Sequence, residues 1–97
     1  MQEELYHYTL SKNVASILRE GLVPGKGESE YSPLINDPRN IWLDSFYYSP
    51  PSKGGSILVI TISKLDPSRL SKVEWAEEWY IYSGIVPANA VELAETG

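Results

Sequence analysis

One histidine, a pair of adjacent glutamates and two tyrosine-rich stretches are where this chain could do chemistry. His7 stands between Tyr6 and Tyr8, Glu77-Glu78 precede the stretch Trp79-Tyr80-Ile81-Tyr82, and Tyr47-Tyr48 lie midway along the sequence. An imidazole offers hydrogen bonding and proton transfer near neutrality. A carboxylate at the start of a strand is aimed by a rigid backbone, and tyrosine rings give amphipathic faces for packing or stacking. The composition removes other options. With no cysteine there is no disulfide framework, thiolate zinc site or cysteine nucleophile, and one histidine cannot build a His-rich metal cluster. Taken singly, each group also has a plain structural role: a hydrogen-bonding histidine, a solvated strand start, core-edge tyrosines.

The elements that must position these residues follow from local pattern. Leu5-Tyr6-His7-Tyr8 reads as a short strand. Ser11 or Thr9 then serves as N-cap for a helix of roughly three turns, with Val14, Ile17 and Leu18 at helical spacing and Gly21 as its stop. Residues 24–40, with Pro24, Gly25, Gly27, Pro33 and Pro38, read as a long loop of the kind that often carries function. Ile41-Trp42-Leu43 is the next strand, and Pro50-Pro51 and Gly54-Gly55 break the chain after it. Ile57–Ile62 is branched and nearly all apolar, which predicts a central strand. Asp66-Pro67-Ser68 makes a turn, Val73–Trp75 is a possible strand, Glu78–Tyr82 is another, and Ile85–Leu93 closes as an edge strand. One helix with at least five short strands and no βαβ alternation is α+β, in a single domain spanning 1–97.

Charge and length bound the partners. The 97 residues carry 13 acidic and 8 basic side chains, a formal net charge of −5. The basic ones (Lys12, Arg19, Lys26, Arg39, Lys53, Lys64, Arg69 and Lys72) are scattered, so the electrostatic footprint of nucleic-acid binding is missing and that partner is disfavoured. No apolar run is long enough to span a bilayer, and Met1-Gln2-Glu3-Glu4 lacks the basic and apolar regions of a secretory signal. The expectation is a small cytoplasmic domain with no membrane partner.

The order of the motifs carries more than any one of them. Leu5-Tyr6-His7-Tyr8-Thr9, then Asn13, Ile17-Leu18 and Gly21-Leu22, resembles the opening of the ADP-ribosyltransferase superfamily in its His-Tyr-Glu, poly(ADP-ribose) polymerase-like branch. Ile41-Trp42-Leu43-Asp44-Ser45, followed by Tyr47-Tyr48, resembles that family's second conserved strand and its stacking tyrosine. Glu77-Glu78-Trp79-Tyr80-Ile81-Tyr82 is similar to the strand that opens with its glutamate, and Gly84-Ile85-Val86-Pro87 with Val91 to its tail. The three blocks cover nearly the whole chain in the family's order.

The resemblance implies a compact split β-sheet with one main helix near the N-terminus, NAD as co-substrate and no metal. It implies that Glu78 is the catalytic carboxylate, set near the ribose 2′-hydroxyl where positive charge develops as the nicotinamide–ribose bond breaks. His7 would hydrogen-bond the adenosine ribose, and the Tyr8 backbone the nicotinamide amide. Thr9 and Asn13 would brace the strand and helix start. Ser45 and Tyr48 have the three-residue spacing of the family's amide-binding serine and stacking tyrosine, which favours Tyr48 over Tyr47; Trp42 of the second block would also line the cofactor site. Tyr8 replaces a usually small residue, so its side chain has to leave away from the nicotinamide. The implied activity is mono-ADP-ribosylation of a macromolecule, a protein rather than a nucleic acid, with loop 24–40 and its Tyr31 as lid or acceptor contact. Two other readings stand beside it: a catalytically inactive domain of this fold that binds a protein or nucleotide, and a relative of the RNA 2′-phosphotransferases, which the scattered arginines and negative charge disfavour.

Overall fold

The computed structural model describes residues 3–24, 40–76 and 78–97. The long loop read at 24–40, with its proposed lid role, therefore lies almost wholly outside the described residues. In chain order the elements are β1 (Glu4–Leu10), a 3-10 turn (Ser11–Asn13), α1 (Val14–Glu20), β2 (Asn40–Asp44), β3 (Gly55–Thr61), β4 (Leu70–Lys72), β5 (Trp79–Ser83) and β6 (Val91–Thr96). The strands form one six-stranded sheet in the order β4-β5-β2-β1-β3-β6, every neighbouring pair antiparallel. With α1 the one α-helix among the described residues, the fold is α+β.

The sheet is not equally knit across its width. β1 pairs with β3 from Glu4↔Thr61 to Leu10↔Gly55, and β2 with β5 from Asn40↔Ser83 to Asp44↔Trp79. Between β1 and β2 only Tyr6↔Asp44 is paired. Two three-stranded halves, β4-β5-β2 and β1-β3-β6, thus meet at one point and part beyond it.

Alternation sorts the side chains to two faces. Leu5, Leu43, Leu58, Ile60 and Tyr82 lie on one, where they join Ile17 of α1 in the main core. Burial at roughly 25 cal/mol per Å2 of apolar surface makes this the chief stabilising term of the fold. Ile57 is also fully buried but belongs to the other face, opposite Tyr8 in the β1/β3 register.

Several local readings are corrected. β3 is apolar from Ile57 to Ile60 because both its faces are covered there, yet it lies next to the β6 edge, and β1 and β2 hold the centre. The strand expected at 73–75 is instead a turn, tied by Val73 N–H to Trp79 O and Trp79 N–H to Ala76 O, while β4 forms three residues earlier. The helix has seven residues rather than three turns, because the first part of that segment closes as a 3-10 turn. Its N-cap is Asn13, with no side-chain capping bond; Ser11 Oγ instead meets Ser56 Oγ at 2.7 Å. Asn13 therefore braces the helix start only through its carbonyl, which accepts from Ser16 Oγ at 3.1 Å. The stop at Gly21 is as expected, and the chain then forms an isolated bridge, Leu22↔Val86, that fastens the exit of α1 to the C-terminal segment. Among the described residues no helix is long and apolar enough to cross a membrane.

Candidate functional site

The seam between β1 and β2 is where the chemistry-bearing residues gather. Two hydrogen bonds fix which way the β1 backbone faces. Glu3 O accepts from Ile62 N–H and Ser11 N–H donates to Gly54 O, so the odd-numbered residues of this strand turn their peptide groups toward β3. The N–H and C=O of Tyr8 consequently face β2, just past the last β1/β2 pair, where the strands have separated. His7 sits beside that opening. Its Nδ1 lies 3.0 Å from Trp42 O across the seam. A carbonyl only accepts, so Nδ1 carries the proton and Nε2 presents a lone pair. Burial of the ring lowers the His7 pKa, and the bond to Trp42 offsets part of that shift.

This sets a pH dependence. A folded pKa below the ordinary value of about 6.5 means that the unfolded chain binds more protons between the two values. His7 therefore contributes stability that is present at neutral pH and is lost as pH falls through that window. Because it is the only histidine, its ring signals in a nitrogen–proton correlation spectrum are unambiguous. They should show the Nδ1–H tautomer at pH 7 and a midpoint below 6.5. A His7→Gln chain should lose less stability than the parent on going from neutral to mildly acidic buffer.

Glu78 is tied to the same region from the other half of the sheet. One step beyond Asp44↔Trp79, Ser45 N–H donates to Glu78 O at 2.8 Å and prolongs the β2/β5 ladder. Ser45 and Glu78 stand just beyond the ends of β2 and β5, in a bend and a turn. Burial raises the pKa of Asp44 and Tyr48, and the charge of Glu78 is close enough to raise both further. His7 and Thr9 share one face of β1, and the Ser45–Glu78 link adjoins Asp44, whose partner Tyr6 immediately precedes His7.

The remaining expected residues go to the opposite face. Tyr8 leaves β1 on the side away from His7. Its hydroxyl donates to Phe46 O at 2.7 Å and accepts from Tyr48 N–H at 2.8 Å, and its ring lies 6.0 Å from that of Tyr48. Tyr48 is thus with Tyr8 on the face away from His7, where burial and then the charges of Asp44 and Glu78 raise its pKa. Tyr47 is engaged elsewhere: its ring packs on Tyr6 at 5.1 Å and its hydroxyl donates to Glu95, which pushes its pKa up to about 12. The segment bearing the two tyrosines has no helical turn. Trp42 also faces this way, at 5.9 Å from Trp79 and 6.3 Å from Trp75. Its Nε1 is buried without a hydrogen-bond partner among the described residues.

A scan against protein-family models finds no match for this chain, and a search of curated proteins finds none either.

One residue of consequence was not anticipated. Asp44 is 2% exposed and lines a cleft of about 430 Å3 with Tyr8, Tyr48, Pro50, Ser52 and Trp79. Its Oδ1 accepts from Phe46 N–H at 2.8 Å, an Asx turn that ends β2. Burial raises its pKa, the Phe46 bond lowers it, and the nearby charge of Glu78 raises it further. The signal in the sequence was a lone acid in phase with Trp42 on a strand whose other phase, Ile41 and Leu43, is apolar. Among the described residues no group of three His, Cys, Asp or Glu side chains is gathered to hold a metal.

Proposed function

We propose that this chain is a compact NAD-dependent mono-ADP-ribosyltransferase acting on a macromolecule, a protein in preference to a nucleic acid. The observation that carries the reading is the open seam, with the Tyr8 peptide facing into it, a neutral His7 imidazole beside it and Glu78 linked to Ser45 at the adjoining ends of β2 and β5. The parting of β1 from β2 beyond a single pair also supports the compact split sheet that the sequence resemblance implies.

The residues fit the dinucleotide. The Tyr8 N–H and C=O match the acceptor and donor of a carboxamide, and Nε2 of His7 can accept from a ribose hydroxyl. Ser45 offers a hydroxyl and Glu78 a carboxylate at the adjoining ends of β2 and β5. In the reaction the C1′–N bond to nicotinamide breaks with its electron pair leaving on nicotinamide. Positive charge grows on the ribose, and a nucleophilic atom of the acceptor bonds to C1′ and loses its proton. Glu78 acts electrostatically on that charge and orients the 2′-hydroxyl. Tyr48 has no place in this scheme, because the ring lies on the other face.

That last observation favours a second reading, a domain of the same fold that binds a partner without catalysis. Nicotinamide release from labelled NAD, with and without cell lysate as acceptor source, tests the proposal. Release and label transfer by the parent, both lost in His7→Ala and Glu78→Gln chains, support the transferase. Calorimetry that shows no heat with NAD favours the binding module.

A further inference from the structure

We infer that the cleft walled by Tyr8, Tyr48 and Trp79 over the Asp44 carboxylate is a binding site for an organic cation, a guanidinium or alkylammonium group. It lies on the face opposite His7 and does not rest on the NAD reading.

The cleft has a charged floor and aromatic walls. Asp44 is almost completely buried at its base, Glu78 adds negative field from the turn before β5, and no lysine, arginine or histidine among the described residues lines the space. A buried carboxylate without a countercharge is unfavourable, and an incoming cation relieves it. The faces of tyrosine and tryptophan rings attract the same kind of group. A neutral ligand would gain neither contribution, and an anion would be repelled.

The walls are set before a ligand arrives. The Tyr8 hydroxyl is used twice, on Phe46 O and Tyr48 N–H, which holds its ring and pins the chain at Tyr48. Trp79 is fixed in the β5 ladder opposite Asp44 and edge-on to Trp42. Asp44 itself is oriented by its bond from Phe46 N–H. A volume of about 430 Å3 admits the end of an arginine or lysine side chain as readily as a free small cation. These two sources share one chemistry.

Titration of the full chain with agmatine and with an end-blocked arginine tripeptide, followed by tryptophan fluorescence at matched ionic strength, tests the site. Butylurea serves as the neutral control. Saturable binding of the cations and none of butylurea is expected; the tighter of the two cationic probes identifies a side chain or a free cation as the source. Asp44→Asn should weaken binding about tenfold or more. It should melt no lower than the parent, because the amide oxygen still accepts from Phe46 N–H and a buried charge is gone. Trp79→Leu should weaken binding about fivefold. Equal binding of butylurea, no saturable response to either cation, or unchanged affinity in a folded Asp44→Asn chain would overturn the assignment.

Discussion

Glu78→Gln is expected to lower nicotinamide release by about 10²- to 10³-fold while leaving the fold and NAD affinity nearly unchanged. The magnitude is that of removing one preorganised electrostatic partner of a developing charge. The substitution keeps the size of the side chain, and the link to Ser45 runs through the Glu78 carbonyl, which a side-chain change does not touch. Half-buried at the start of β5, residue 78 carries no core packing whose loss could mimic a catalytic effect. The split between kcat and KM is the informative readout. A fall in kcat alone marks a group that acts as the ribose becomes charged, whereas a rise in KM alone marks ground-state binding. The same substitution also removes one of the charges that raise the pKa of Asp44, so Asp44 should titrate lower in the variant.

Gly21→Ala should cost at least about 2–3 kcal/mol, a large part of the roughly 5–15 kcal/mol that holds a small domain folded. Two independent causes act at this residue. Its φ of 88° with ψ of −178° lies in a region open essentially to glycine alone. A Cβ built there would also run into the Val86 carbonyl. That carbonyl is the acceptor for Leu22 N–H, half of the bridge that locks the end of α1 to the segment before β6. Relief of the clash therefore breaks the bridge and uncovers Leu22 and Val86, both buried. Gly54 separates the two causes. It has φ 81° but open space where a Cβ would stand, so Gly54→Ala carries backbone strain alone, about 1 kcal/mol. Urea denaturation of the two variants should show a clearly lower midpoint for Gly21→Ala than for Gly54→Ala. Equal midpoints would mean that crowding against Val86 contributes nothing.

Which parts of this were legible in the sequence follows from what local pattern can encode. The β1–α1 opening, β2, β3 and β5 were readable because apolar period, β-branched runs and a glycine stop act over a few residues. β4 was misplaced because Val73 is apolar and buried yet belongs to a turn; only the pairing of Leu70 with Tyr82 and Lys72 with Tyr80 shows where the strand lies. The N-cap was misplaced because Ser11 found a partner, Ser56, forty-five residues away. His7 and Glu78 were nameable from motif order, but how they stand relative to one another depends on strand register. Tyr48 lies in an irregular segment with no period, so nothing local could tell that it joins Tyr8 on the far face. Asp44 was overlooked for a related reason. A single acid at a strand end looks solvated until the cross-strand neighbours that bury it, Tyr6 and Trp79, are known.

The seam is the centre of the account, and His7 reports on it directly. NAD titrated into the full chain at pH 7 should shift the His7 ring resonances saturably, with the Nδ1–H retained on Trp42 O and the Nε2 signal moving most. The shift should persist in the Glu78→Gln chain, where cleavage is expected to be about 10²- to 10³-fold slower with NAD affinity nearly unchanged. A folded chain whose His7 resonances do not move at saturating NAD, or move no more than with added salt, would contradict the assignment of the seam as the dinucleotide site.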